Sequence, residues 1–155
     1  MSNNFIKLVK LLKQNNLSIS VAESCTGGNL SALLTSSSGS STYFDRGFIT
    51  YSNQAKIDML GVTLETLDEF GAVSEQTARQ MVDGVINNSR SDIGVSITGI
   101  AGPTGGTKNK PVGMVCFGFC ILGKCFTTTK TFDGSREQVV AASVEFVVAT
   151  LINGL

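Results

Sequence analysis

Two β-prone runs, Val112–Ile121 and Lys124–Thr131, have only Leu122-Gly123 between them. So short a link cannot carry a crossover, so the two runs must pair as an antiparallel hairpin. Upstream, Ser18–Glu23 (S-I-S-V-A-E), Tyr43–Tyr51 (Y-F-D-R-G-F-I-T-Y) and Ile93–Thr98 are separated by segments of helical spacing, and helical crossovers favour parallel pairing. The spacing predicts a helix over 4–15, with Phe5, Leu8, Val9 and Leu12 on one face. It predicts others over 29–34, over 53–60 before Gly61, and from Thr63 to before Gly71. A longer one runs from Ser74 to about Asn88, with Ala78, Met81, Val82 and Val85 inward. The last opens on a Ser135/Gln138 capping-box pattern and turns Val140, Val144, Val147 and Leu151 inward. Thr35–Ser41 reads as a polar surface connection, and Gly47 as a bend in its strand. The order α-β-α-β-α-α-α-β-β-β-α predicts an α/β fold. The expected architecture is a three-layer α/β/α domain with a mixed, mostly parallel five-stranded sheet, the hairpin adding one antiparallel strand. Residues 1–155 read as a single domain without internal repeats.

Composition enters by what it excludes. The 155 residues contain no histidine, so neither a Ser-His-Asp nor a Cys-His machine can exist within one chain. Any general base must be Lys, Tyr, Asp, Glu or Cys. The net charge is +0 with no basic run, which argues against a nucleic-acid surface. Lys7, Lys10 and Lys13 interrupt the apolar pattern of the amino-terminal segment, unlike a signal peptide, and no stretch approaches the roughly 20 apolar residues of a membrane span. A cytoplasmic protein is expected. Cys25, Cys116, Cys120 and Cys125 do not form a paired CxxC framework, and Cys116 and Cys120 read as buried strand residues; no metal site is expected.

Four segments could carry chemistry. A-E-S-C-T-G-G, Ala22–Gly28, follows a strand and opens a helix, where free backbone N–H groups can hold a phosphate or a developing oxyanion. The plain alternative is a strand-to-helix turn with Ser24 or Thr26 as N-cap. T-Y-S-N-Q-A-K, Thr50–Lys56, places Tyr51 at a strand end and Lys56 in the first turns of a helix. Lysine is a weak base at its free pKa of about 10.4, but burial lowers that value; otherwise this is an exposed helical lysine. T-G-I-A-G-P-T-G-G, Thr98–Gly106, also follows a strand. It lacks the signatures of a P-loop or a dinucleotide turn, and it is either a surface loop or a shaped backbone presenting N–H groups. Arg136 stands at a helix start, either solvated or gripping a phosphate.

In order, A-E-S-C-T-G-G, R-G-F-I-T-Y-S-N-Q-A-K, G-A-V-S-E, S-I-T-G-I-A-G-P-T-G-G and K-P-V-G resemble the nicotinamide-nucleotide amidase family, the C-terminal domain of the competence/damage-inducible protein CinA, in a stand-alone form. The resemblance implies hydrolysis of the carboxamide of nicotinamide mononucleotide to nicotinic acid mononucleotide and ammonia. It implies Ser24 as nucleophile, with Lys56 and Tyr51 completing the proton-transfer group. Cys25, Thr26, Gly27, Gly28, Thr98, Gly99, Gly102 and Gly105 then line the substrate pocket. Arg136 becomes the phosphate-side arginine, the resemblance leaves open whether it acts within its own subunit or across to a neighbour, and a homo-oligomer is expected. No cofactor is implied. Thr104 stands where the family pattern leads one to expect an acidic residue. Cys25 competes with Ser24 as nucleophile, since thiolates are intrinsically stronger, and the resemblance favours Ser24. Glu23 reads as a structural hydrogen-bonding residue. Two other readings remain open at this point: a Ser-Lys amidohydrolase acting on another amide, and a nucleotide-binding regulatory module without catalysis.

Overall fold

Strand β1 (Ile19–Glu23) is buried at every position, which requires cover on both faces and a strand on each side. The computed structural model, which describes residues Met1–Leu155, puts it there. The sheet order is β2-β1-β3-β4-β5, with β2 spanning Phe44–Ile49, β3 Ile93–Gly99, β4 Met114–Ile121 and β5 Lys124–Thr131. Pairing is parallel for β2/β1 and β1/β3 and antiparallel for β3/β4 and β4/β5. Only β4 therefore runs against the other strands, as the hairpin requires, and the two kinds of pairing are equally represented. The half-exposed strands β2 and β5 form the edges.

Helices α1 (Asn3–Gln14), α2 (Asn29–Thr35) and α6 (Arg136–Gly154) cover one face. Their residues Phe5, Leu8, Leu12, Leu30, Leu34, Val147 and Leu151 join Phe117 and Phe119 in the larger core. Helices α3 (Asn53–Leu60), α4 (Leu64–Phe70) and α5 (Glu75–Asn87) cover the other, where Leu60, Leu67, Met81 and Val85 enclose Ala22. Full burial of one such side chain contributes roughly 1.5–3 kcal/mol. Ser52, Thr63, Ser74 and Ser135 each cap a helix by accepting from the third amide beyond, and Gln138 completes the capping box at Ser135. Each cap is worth about 1 kcal/mol. The turn residues Leu122 and Gly123 both have positive φ, 51° and 85°, which matches the twist of the two strands they join.

Two expectations need correction. Val139, not Val140, is the buried valine at the start of α6. The helix is apolar almost all round, so its sequence does not reveal its phase; the buried row runs 139, 143, 147, 151 with 144 and 148 beside it. By length and composition α6 is also long and apolar enough to cross a membrane, contrary to the reading that no stretch nears that limit. Its apolar row is used here against α1 and the sheet. Cys120 is a buried strand residue, as expected, and it carries a bond that its spacing had not suggested. The two-residue turn sets it directly opposite Cys125, and the two form a disulfide.

Candidate active site

The parallel strands β2, β1 and β3 end together, and the chain segments beyond them converge on one cleft of about 260 Å³. Ser24, Cys25, Tyr51, Lys56, Thr98, Gly99, Gly102, Gly105 and Arg136, all singled out from the sequence, line it. Thr26 and Gly27 instead face a neighbouring cleft of about 520 Å³ between α2 and α6. Cys25, Tyr51 and Arg136 border both clefts. Gly28 lines neither; its φ of 108° lets the chain turn into α2.

Lys56 is 1% exposed, and it is not the solvated helical lysine that its segment alone allowed. Its Nζ makes three contacts: Ser24 Oγ at 2.9 Å, the Thr50 carbonyl at 2.9 Å and the Tyr51 carbonyl at 3.2 Å. No carboxylate approaches it closely enough for an ion pair. Burial lowers its pKa to about 8. In the neutral amine, the two carbonyls take both N–H groups, leaving the lone pair aimed at the Ser24 hydroxyl. Burial has the opposite effect on Cys25, pushing its thiol up to about 11 and keeping it protonated at neutral pH.

The turn that carries Ser24 is held from inside by Glu23. This fully buried carboxylate accepts from Thr26 Oγ1 (2.7 Å), the Leu30 amide (2.9 Å), and both the amide (2.9 Å) and hydroxyl (2.7 Å) of Ser31. It thereby caps α2 from the end of β1, the office that the sequence allowed to Ser24 or Thr26; the Thr26 hydroxyl serves Glu23 instead. The Ser24 amide donates to the Ile97 carbonyl (2.9 Å) and extends the sheet by one residue. The amides of Cys25, Thr26 and Gly28 donate to no protein group, and of the three residues only Cys25 lines the cleft that holds Ser24.

On the opposite wall, Arg136 donates to the Gly102 carbonyl (2.9 Å) and to the Tyr51 hydroxyl (2.8 Å), and it has no carboxylate partner. Both bonds lie within one chain, so the arginine reaches the cleft of its own subunit. Tyr51 thus meets Lys56 through its carbonyl and Arg136 through its phenol. The Thr98 hydroxyl is occupied in donating to the Ala72 carbonyl (2.8 Å). Asn53, Ala72, Val73 and Ile100 also line the cleft and were not singled out. They lie inside the segments S-N-Q-A-K, G-A-V-S-E and S-I-T-G-I-A-G, but as small, apolar or amide side chains they advertise no chemistry.

The model of the CinA C-terminal domain family matches residues 4–155. The chain belongs to this family. A competence-damage inducible protein of Clostridioides difficile (strain 630) is 52% identical over 84% of this chain and 31% of its own length. This chain therefore spans about a third of the length of the first curated relatives it matches. Another member, the nicotinamide-nucleotide amidohydrolase PncC of Enterobacter agglomerans, is 44% identical over 95% of this chain and 90% of its own. The crystal structure of a competence/damage inducible protein from Agrobacterium tumefaciens superposes with a TM-score of 0.91 at 42% identity, covering 99% of this chain and 96% of the other. The three-layer architecture is thus the family's own.

Proposed function

We propose that this chain is an amidohydrolase that converts nicotinamide mononucleotide to nicotinic acid mononucleotide and ammonia through an acyl-enzyme on Ser24, with residues 1–155 acting as one amidase domain. The observation that carries the reading is the Lys56 amine, dehydrated and fixed by two carbonyls, 2.9 Å from the Ser24 hydroxyl. The likeness to PncC of Enterobacter agglomerans over nearly the full length of both chains supports the choice of substrate.

In this mechanism neutral Lys56 takes the Ser24 proton as Oγ attacks the carboxamide carbon. The carbonyl oxygen becomes an oxyanion and accepts from the free amide of Cys25, the residue of the turn that lines the same cleft as Ser24. The lysine ammonium returns its proton to the leaving nitrogen, and ammonia departs. Water then attacks the ester, giving one proton to Lys56; that proton passes back to Ser24 as the carboxylic acid leaves, and the acid's remaining proton goes to solvent to give the carboxylate product. Direct contact between Lys56 and Ser24 makes a phenol relay unnecessary, so Tyr51 acts through its carbonyl as an anchor for the amine. Arg136, which lacks an anionic partner, takes the substrate phosphate at the mouth of the cleft. No step calls for a metal or cofactor.

The test is ammonia release from nicotinamide mononucleotide by wild type, Ser24→Ala and Cys25→Ser side by side. Activity abolished in the first variant and largely kept in the second is expected. The reverse pattern refutes the assignment of the nucleophile. Equal turnover of the nucleotide, the riboside and free nicotinamide overturns the phosphate role of Arg136, and tight binding without ammonia release points to a regulatory module.

A further inference from the structure

The residues at the far end of the sheet take no part in this chemistry. Cys120 pairs with Gly94 near the start of β3, whereas the cleft lies beyond the end of that strand. Alternate residues of β4 face α5: a side chain at Gly118 would meet Ala78 and Val82 of that helix, and Cys120, two residues on, faces the same way. The β4/β5 register brings Cys125 opposite it, and α5 contributes Asp83. The two sulfurs and a carboxylate oxygen of Asp83 all lie within 4.8 Å of one another. Asp83 is oriented from one turn earlier by Arg79, whose Nε donates to Oδ1 at 3.0 Å, while Oδ2 has no protein donor. A hollow of about 280 Å³ beside the hairpin turn, bordered by Cys120, Cys125, Ile86 and Ser91, admits solvent.

We propose that the reduced form of this cysteine pair, together with Asp83, binds a thiophilic divalent cation of the zinc class. Two thiolates and one carboxylate supply three donors of the type that tetrahedral zinc takes, and water from the hollow supplies the fourth. Metal–sulfur bonds of about 2.3 Å and a metal–oxygen bond of about 2 Å need donors roughly 3–4 Å apart. Side-chain rotation about the Cα–Cβ bonds provides that spacing without moving either strand. The charges also balance: two thiolates and Asp83 face the dication and Arg79. The chemistry has two steps. A dithiol reductant gives two electrons and two protons to the disulfide and closes to its own disulfide. The cation then displaces both thiol protons to solvent, forming two metal–sulfur bonds and one metal–oxygen bond. Disulfide and metal are thus alternative closures of the same hairpin.

Titration of the dithiol-reduced protein with Co(II) alone tests this. The expected result is a thiolate-to-cobalt charge-transfer band with tetrahedral d–d absorption, saturating at one ion per chain and bleached by Zn(II). The disulfide form gives no band, and because it is folded it serves as the control for loss of the thiols alone. Asp83→Asn weakens binding by at least about tenfold. Cys120→Ser abolishes the band, and Cys25→Ser and Cys116→Ser leave it. The proposal fails if the reduced protein shows no band, if the band survives Cys120→Ser, if it is lost in Cys25→Ser or Cys116→Ser, or if Asp83→Asn leaves affinity unchanged.

Discussion

At the scale of single residues, the site rests on what burial does to Lys56. Its folded pKa of about 8 lies below the 10.5 of an exposed lysine, because dehydration disfavours the ammonium. The general base is the neutral form, so kcat/KM for amide hydrolysis rises with pH and levels off above about 8. A flat or falling pH–rate profile across that range contradicts the role. The same shift links folding to pH. Between about 8 and 10.5 the unfolded chain holds a proton at this position that the folded chain has released, so stability rises with pH across that window. Below it, folding bears the full cost of a buried ammonium; above it, the cost is gone. Urea titrations of wild type and Lys56→Met at several pH values isolate this contribution, and the stability of wild type relative to the variant should rise as pH climbs from 8 to 10.5. Glu23 gives a second residue-scale prediction. Glu23→Ala strands two amides and two hydroxyls that now share one carboxylate, at a cost of roughly 3 kcal/mol or more. The readout is a lower denaturation midpoint with an unchanged urea slope.

At the scale of elements, most of the architecture was legible because its signals are local. The Ser and Thr caps, the stop at Gly61 and the two-residue hairpin are each written within a few neighbouring residues. What escaped depends on how elements meet. The phase of α6 was hidden because a helix apolar on all sides carries no stripe, and only the sheet decides which valines face in. The Cys120–Cys125 pairing follows from hairpin register, which the C-I-L-G-K-C segment implies once Leu122-Gly123 is placed at the turn. In the site, residue types that advertise chemistry were found, whereas the carbonyls of Thr50 and Tyr51 were not, since any residue has a carbonyl and only folding aims two at one amine. Close approach between elements is similarly silent in sequence. Gly84 of α5 lies against the Leu60 carbonyl at the end of α3, where a methyl group would collide. Gly84→Ala, which stabilises an isolated helix by about 1 kcal/mol, should here lower the melting temperature instead.

At the scale of the whole molecule, the cleft draws on five separated stretches: the turn after β1, the segment from Tyr51 into α3, the α4–α5 connection at Ala72 and Val73, the loop after β3 and the first residue of α6. Arg136 is exposed and touches none of the proposed reacting atoms. Arg136→Ala should therefore raise KM for the phosphorylated substrate by roughly 10- to 100-fold, the equivalent of losing a charged hydrogen bond. Turnover at saturation should change far less, and steady-state kinetics on nucleotide and riboside read the difference. The packing of α1 bears on how the molecule is made. Phe5, Leu8 and Leu12 share their core with Val147, Val148 and Leu151, and α6 is the chief neighbour of α1. A ribosome delivers α1 long before α6 exists to cover it. Its apolar face stays open to solvent, or to a chaperone, while the sheet is translated, and synthesis of the closing turns of α6 is the event that ends this vulnerability.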